Sequence, residues 1–198
     1  MINDYEATNP MTTDAIPISS QPGSNDDVIS VVNGLIETCK DGQDGFAQAA
    51  EAVKTSDLKT VFYEFSQERS GFVGDLQVLV RSLGGTPETG GSFTGAIHRG
   101  WIGLKAAVTG NDDKAILNEC EAGEDSAKSA YKNALAEPLP ANVKEILDTQ
   151  YAAVMRSHDR IKALRDSATS SDTRPLANDD AATRSTDNDA SRPAGTGY

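Results

Sequence analysis

The sequence predicts an all-α protein, a four-helix bundle with a long second-to-third crossover that contains a short helix. Three observations carry this. Four segments between residues 25 and 166 repeat apolar residues at steps of three and four. Short polar or proline-containing turns separate the first from the second and the third from the fourth. A stretch of 28 residues (84–111) separates the second from the third.

The first helix is expected from about Asp26, with Ser24 and Asn25 as alternative caps. Its apolar seam reads Val28, Val32, Leu35, Cys39, Gly42, Phe46, Ala49, Val53, one phase throughout. Gly42 falls within the seam between Asp41 and Asp44. A glycine there implies either close helix approach or room for something bound. The second helix opens at Thr55-Ser-Asp57 and stops at Gly84-Gly85. Its seam is Leu58, Phe62, Phe65, Arg69, Phe72, Leu76, Leu79, Leu83, large and apolar except at Arg69.

Residues 84–92 then read as loop, and Ala96 to Val108 as a short helix with Ile97, Trp101, Leu104 and Val108 on one stripe. The third helix follows Asn111-Asp-Asp113 and ends before Pro138. Its seam is Leu117, Cys120, Glu124, Ala127, Tyr131, Ala134. The fourth starts near Asn142 and is expected to end near Asp166, with one line Val143, Leu147, Gln150, Val154, Ser157, Ile161, Leu164. A neighbouring line carries Tyr151 and His158. Segments 1–24 and 167–198 lack periodicity and read as disordered flanks. Short turns make each helix pair antiparallel, and the long crossover suggests parallel second and third helices, the ferritin-like order; the rival is a simple up-down-up-down bundle with the short helix as a plug.

Composition limits the function. A net charge of −12 argues against nucleic acid and against an anionic membrane surface. The two cysteines are too few for a disulfide framework and read as buried free thiols. The N-terminal residues show no secretory signal, and no apolar run spans a bilayer, so a cytoplasmic protein is expected. An exposed seam on the first or fourth helix could support a homodimer, though nothing in the sequence demands one, and a protein partner is not readable. No phosphate-binding loop and no nucleophile triad is legible, so the reading leans against an enzyme.

The irregular positions share one height. At about 1.5 Å per residue, Arg69, Glu124 and His158 each lie about 18 Å from one end of the bundle, level with Gly42. A buried charge needs a partner. The expectation is therefore a structural polar layer of Asp44, Glu68, Arg69, Glu124, Gln150 and His158. The alternative is a carboxylate–histidine metal site from Glu121, Glu124, His158 and an acid of the first or second helix, holding iron or manganese. Arg69 at that level disfavours a dinuclear centre, and the residue three before His158 is Met155 rather than a glutamate.

Several stretches carry a resemblance. They are Asp41-Gly-Gln-Asp-Gly-Phe46, Glu68-Arg69, Leu83-Gly-Gly-Thr-Pro87, His98-Arg-Gly-Trp101, Glu121-Ala-Gly-Glu-Asp125 with Tyr131, Gln150-Tyr151 and His158-Asp-Arg-Ile161. Residues 26–166 resemble a bacterial family of ferritin-like four-helix-bundle proteins of unknown function. The resemblance implies that architecture and brings no activity. The expected function is a non-enzymatic interaction or stress-related module without a cofactor. The alternative is a metal-binding oxidoreductase or ferroxidase.

Overall fold

The computed structural model describes residues 24–89, 104–110 and 112–172. Residues 1–23 and 173–198 of the expected flanks, with His98 and Trp101, lie outside these residues. Five helices and no strand occur among the described residues: α1 (Asn25–Ala52), α2 (Ser56–Ser82), α3 (Leu104–Gly110), α4 (Asp113–Ala136) and α5 (Ala141–Asp172). None is long and apolar enough to cross a membrane.

Local chemistry sets the ends. Ser24 caps α1 in a reciprocal box: its hydroxyl accepts from Asp27 N, and the Asp27 carboxylate accepts from Ser24 N. Helix α2 ends at Gly84, whose φ of 84° is the left-handed conformation a helix stop requires. Gly84 N and Gly85 N then donate back to Arg81 O and Val80 O. Gly85 has a second constraint, since a Cβ there would come within 2.8 Å of Ile29. Asp112 caps α4 through Lys114 N. Helix α5 runs six residues past the expected end at Asp166. No glycine or proline interrupts Ser167-Ala-Thr-Ser-Ser171, and Ser167 Oγ donates to Ala163 O inside the helix.

Contacts between helix ends fix the helix directions. Asp113, at the start of α4, accepts from Lys54 N and Thr55 N at the end of α1, and Val28 and Val31 of α1 lie beside Glu137 after α4. Helices α1 and α4 are thus antiparallel, as are α1 and α2 across their short turn. Helices α2 and α4 therefore run the same way. The chain leaving α2 also turns back along α1: Asn33 pairs with Thr86 O and Glu88 N, and Lys40 donates to Glu88 O. The short helix begins at Leu104 among the described residues and packs against α4 and α1.

The interior is two apolar clusters. One gathers Val28, Val32, Leu35, Leu76, Tyr131, Leu147 and Val154. The other gathers Phe46, Phe62, Leu104, Ile116, Leu117 and Ile161. On every long helix the boundary between them falls at one residue, Gly42, Arg69, Glu124 and Ser157 respectively. The Phe46 ring stacks on Phe62 at 6.1 Å between centroids and tilts against Phe65 at 5.4 Å.

The turn between α1 and α2 yields a test. Thr55 occupies the N-cap of α2 without a side-chain capping bond, and its hydroxyl donates to Asp113 instead. Burial alone would raise the Asp113 pKa, but the three hydrogen bonds from Lys54 and Thr55 bring it below the ordinary 3.8. A depressed folded-state pKa gives stability that is present above pH 3.8 and lost as pH falls through the folded value. Asp113→Asn should therefore lower stability by about 1 kcal/mol at pH 7. Urea melts should show the gap from wild type closing as pH falls below that range.

Candidate functional site

Arg69 and Glu124 are the only fully sealed pair of opposite charges in the described core, at 1% and 0% exposure. Arg69 comes in from α2 and Glu124 from α4. Nη2 of Arg69 donates to Glu124 Oε1 and Oε2, both at 2.9 Å. It also donates to Ser157 Oγ of α5 at 2.6 Å, and Ser157 in turn donates to Glu124 Oε2 at 2.5 Å. Nη1 reaches the half-buried Glu68 at 3.2 Å. The guanidinium carbon lies 5.3 Å from the Phe72 ring centroid and 6.0 Å from that of Phe46.

Helix α1 contributes space to this cluster. A Cβ at Gly42 would sit 3.4 Å from Arg69 Cγ and 3.5 Å from Cδ. The gap in the α1 seam is therefore filled by the arginine stem. Burial opposes the arginine charge, but the Glu124 carboxylate outweighs it and raises the guanidinium above its ordinary value.

The residues expected in this layer separate into three groups. Arg69, Glu124 and Glu68 meet. Asp44 does not join them: two residues past Gly42 is about 200° around the helix, and Asp44 is exposed. His158 is at the right height but one residue past Ser157, about 100° around α5. Its Nε2 lies 3.2 Å from Asp125 and 3.1 Å from Lys128 Nζ, and its Nδ1 lies 3.0 Å from Asp159. Gln150 lies two turns away in a second polar cluster. Ser157 was legible as a seam position, but as a small polar residue beside a histidine it gave no signal of its role.

That second cluster is a linear relay. Cys39 Sγ lies 3.1 Å from the Tyr131 hydroxyl, which donates to Gln150 Oε1 at 2.9 Å. With the tyrosine proton directed at Gln150, the Cys39 thiol is the donor to Tyr131. The Gln150 Nε2 group has no hydrogen-bond partner.

The residues of the metal alternative do not converge. Glu121 pairs with Arg165 of α5, Glu124 with Arg69, and His158 with Asp125 and Asp159. Among the described residues no group of three or more histidine, cysteine, aspartate or glutamate side chains could hold a metal ion.

Two tests follow from this geometry. Arg69→Ala should cost about 3 kcal/mol or more by chemical denaturation, because it strands a buried carboxylate. Arg69→Ala with Glu124→Ala should cost less than the sum of the single changes, and additive losses would show that the two do not interact. The thiols give the second. Burial pushes Cys39 up to about 11, outweighing the stabilisation that the Tyr131 hydroxyl can give a thiolate, and raises Cys120 well above its usual value. Both should resist a thiol reagent at pH 8 until the protein unfolds. A folded-state pKa above the unfolded 9.0 gives stability that is complete below that value and lost as pH rises through 11. Denaturation midpoints should fall over that window, and less so in Cys39→Ala.

No curated protein matches the chain. A family model described as Domain of unknown function (DUF2383) matches residues 27–137. The matched stretch contains α1, α2, α3 and α4 with Gly42, Arg69 and Glu124, while α5 and Ser157 lie beyond it. With more than half its length matched, from the first turn of α1 to the end of α4, the chain belongs to this family, the domain of unknown function DUF2383.

Proposed function

We propose that this chain is a non-enzymatic, ferritin-like four-helix-bundle module of the cytoplasm that acts by binding rather than by catalysis. The observation that carries the reading is the closure of the Arg69–Glu124–Ser157 cluster. Both oxygens of its carboxylate are engaged by protein donors, and the cluster sits between two apolar layers. A catalytic carboxylate must reach a substrate proton or a metal, and Glu124 is fully buried against its own protein. The parallel run of α2 and α4, and the return of the chain along α1 after α2, support the ferritin-like order.

The metal-binding alternative would require Glu121 to leave Arg165 and Glu124 to leave Arg69. Tagless protein should accordingly carry iron, manganese and zinc well below one atom per chain by elemental analysis. A chelator should leave the melting temperature unchanged. Stoichiometric iron or manganese, with a lower melting temperature after chelation, would overturn the proposal in favour of a metal-dependent protein.

A further inference from the structure

Three sides of the bundle are closed by extensive helix packing, α1 on α2, α1 on α4 and α4 on α5. Helices α2 and α5 meet sparsely. Their firm link is the Arg69–Ser157 hydrogen bond near mid-length. Towards the end where α2 finishes and α5 begins, a cavity of about 580 Å³ lies between them. That volume falls within the range of small-molecule sites.

We propose that this cavity binds a small neutral molecule with an apolar body and a carbonyl acceptor. Its walls are mainly apolar, with Val78 and Leu79 on one side and Ile146 on the other. Val78 is 64% exposed, the most exposed large hydrophobic residue of the described chain. An alkyl or aryl body placed here would cover it. Gln150, only 3% exposed, also lines the cavity. Its Oε1 is held by Tyr131, and its Nε2 has no partner. A buried donor without an acceptor keeps its full desolvation penalty, and a ligand carbonyl removes it. Tyr131 donates to the amide oxygen of Gln150, so the vacant group is the NH2 donor and its complement is an acceptor.

Charge selects further. Asp75 and Glu145 line the cavity, and no lysine, arginine or histidine does so among the described residues. The nearby Lys144 is paired with Asp148. An anion would meet two carboxylates and a chain of net charge −12. The acceptor is therefore a neutral carbonyl and not a carboxylate. The apolar walls and the buried, unpartnered Gln150 donor call for one such group at the end of a hydrocarbon body.

The test is a nuclear magnetic resonance titration of the full chain with octanamide and, separately, with sodium octanoate. Octanamide should move the Gln150 side-chain amide resonances and the Val78 and Ile146 methyl resonances saturably. Octanoate should bind at least about tenfold more weakly. Gln150→Leu should weaken octanamide by about tenfold. Val78→Asp changes an exposed position and tests the apolar wall without disturbing the core; it should also weaken octanamide. Non-saturable shifts, equal binding of octanoate, or undiminished binding to folded Val78→Asp would each overturn the proposal. The metal content of the protein does not enter this readout, so its failure is distinct from failure of the non-enzymatic reading.

Discussion

The structure depends on a guanidinium that has been taken out of water. Arg69 is buried against all four long helices at once: its own α2, Glu124 of α4, Ser157 of α5 and the open face at Gly42 of α1. An unpaired charge in that position would cost several kcal/mol. The bundle therefore has one rotational and axial arrangement in which the charge is satisfied. Moving α4 by one residue would rotate Glu124 about 100° away and leave two buried charges unmatched. Apolar residues of similar volume could match the pair in stability. Its physical consequence is therefore selection among packings that a purely apolar seam would leave nearly equal.

The hydrogen-bond count shows how tightly the cluster is specified. Nη2 of Arg69 has two protons and faces three acceptor atoms, so its bonds are shared. The Ser157 hydroxyl accepts from Arg69 and gives its single proton to Glu124, the shortest of its contacts. Phe72 and Phe46 lie beside the guanidinium, and its donors spread from this edge towards Glu124, Ser157 and Glu68. Two apolar clusters on either side keep the layer dry. A serine is the residue that fits, since a larger polar side chain at this position would displace one of the charged partners.

Much of this was legible. The seams of α1 and α4 are buried at every position named from spacing alone, because a regular 3.6-residue repeat defines a face without reference to partners. The same repeat identified Arg69 and Glu124 as inward charges, and helix rise placed them at one height. Height does not give azimuth, which is why His158 was drawn into a layer that Ser157 occupies. On α5 two neighbouring lines are both partly buried, and a histidine attracts attention that a serine does not. Asp44 was misplaced for the same reason, being near Gly42 in sequence but on the far side of α1. Gln150 is inward, yet seven residues from Ser157 puts it about 10 Å along the helix, in the company of Tyr131 and Cys39. The length of α5 was underestimated because serine and threonine weaken a helix without stopping it.

The same buried cation bears on what this level of the core would need in order to hold a metal. A carboxylate inside a helical bundle must be neutralised by a proton, a metal or a basic side chain. Arg69 supplies one positive charge, tethered covalently beside the Phe72 and Phe46 rings and 2.9 Å from Glu124. A divalent ion in its place would need three or four donor atoms within about 2–2.5 Å. The level offers Glu124 and Ser157 from two helices, a glycine from the third and the arginine itself from the fourth. Glu121, one turn from Glu124, is drawn aside by Arg165. Two arginines thus satisfy the Glu121–Glu124 pair separately, and Gly42 leaves the room that the Arg69 stem occupies.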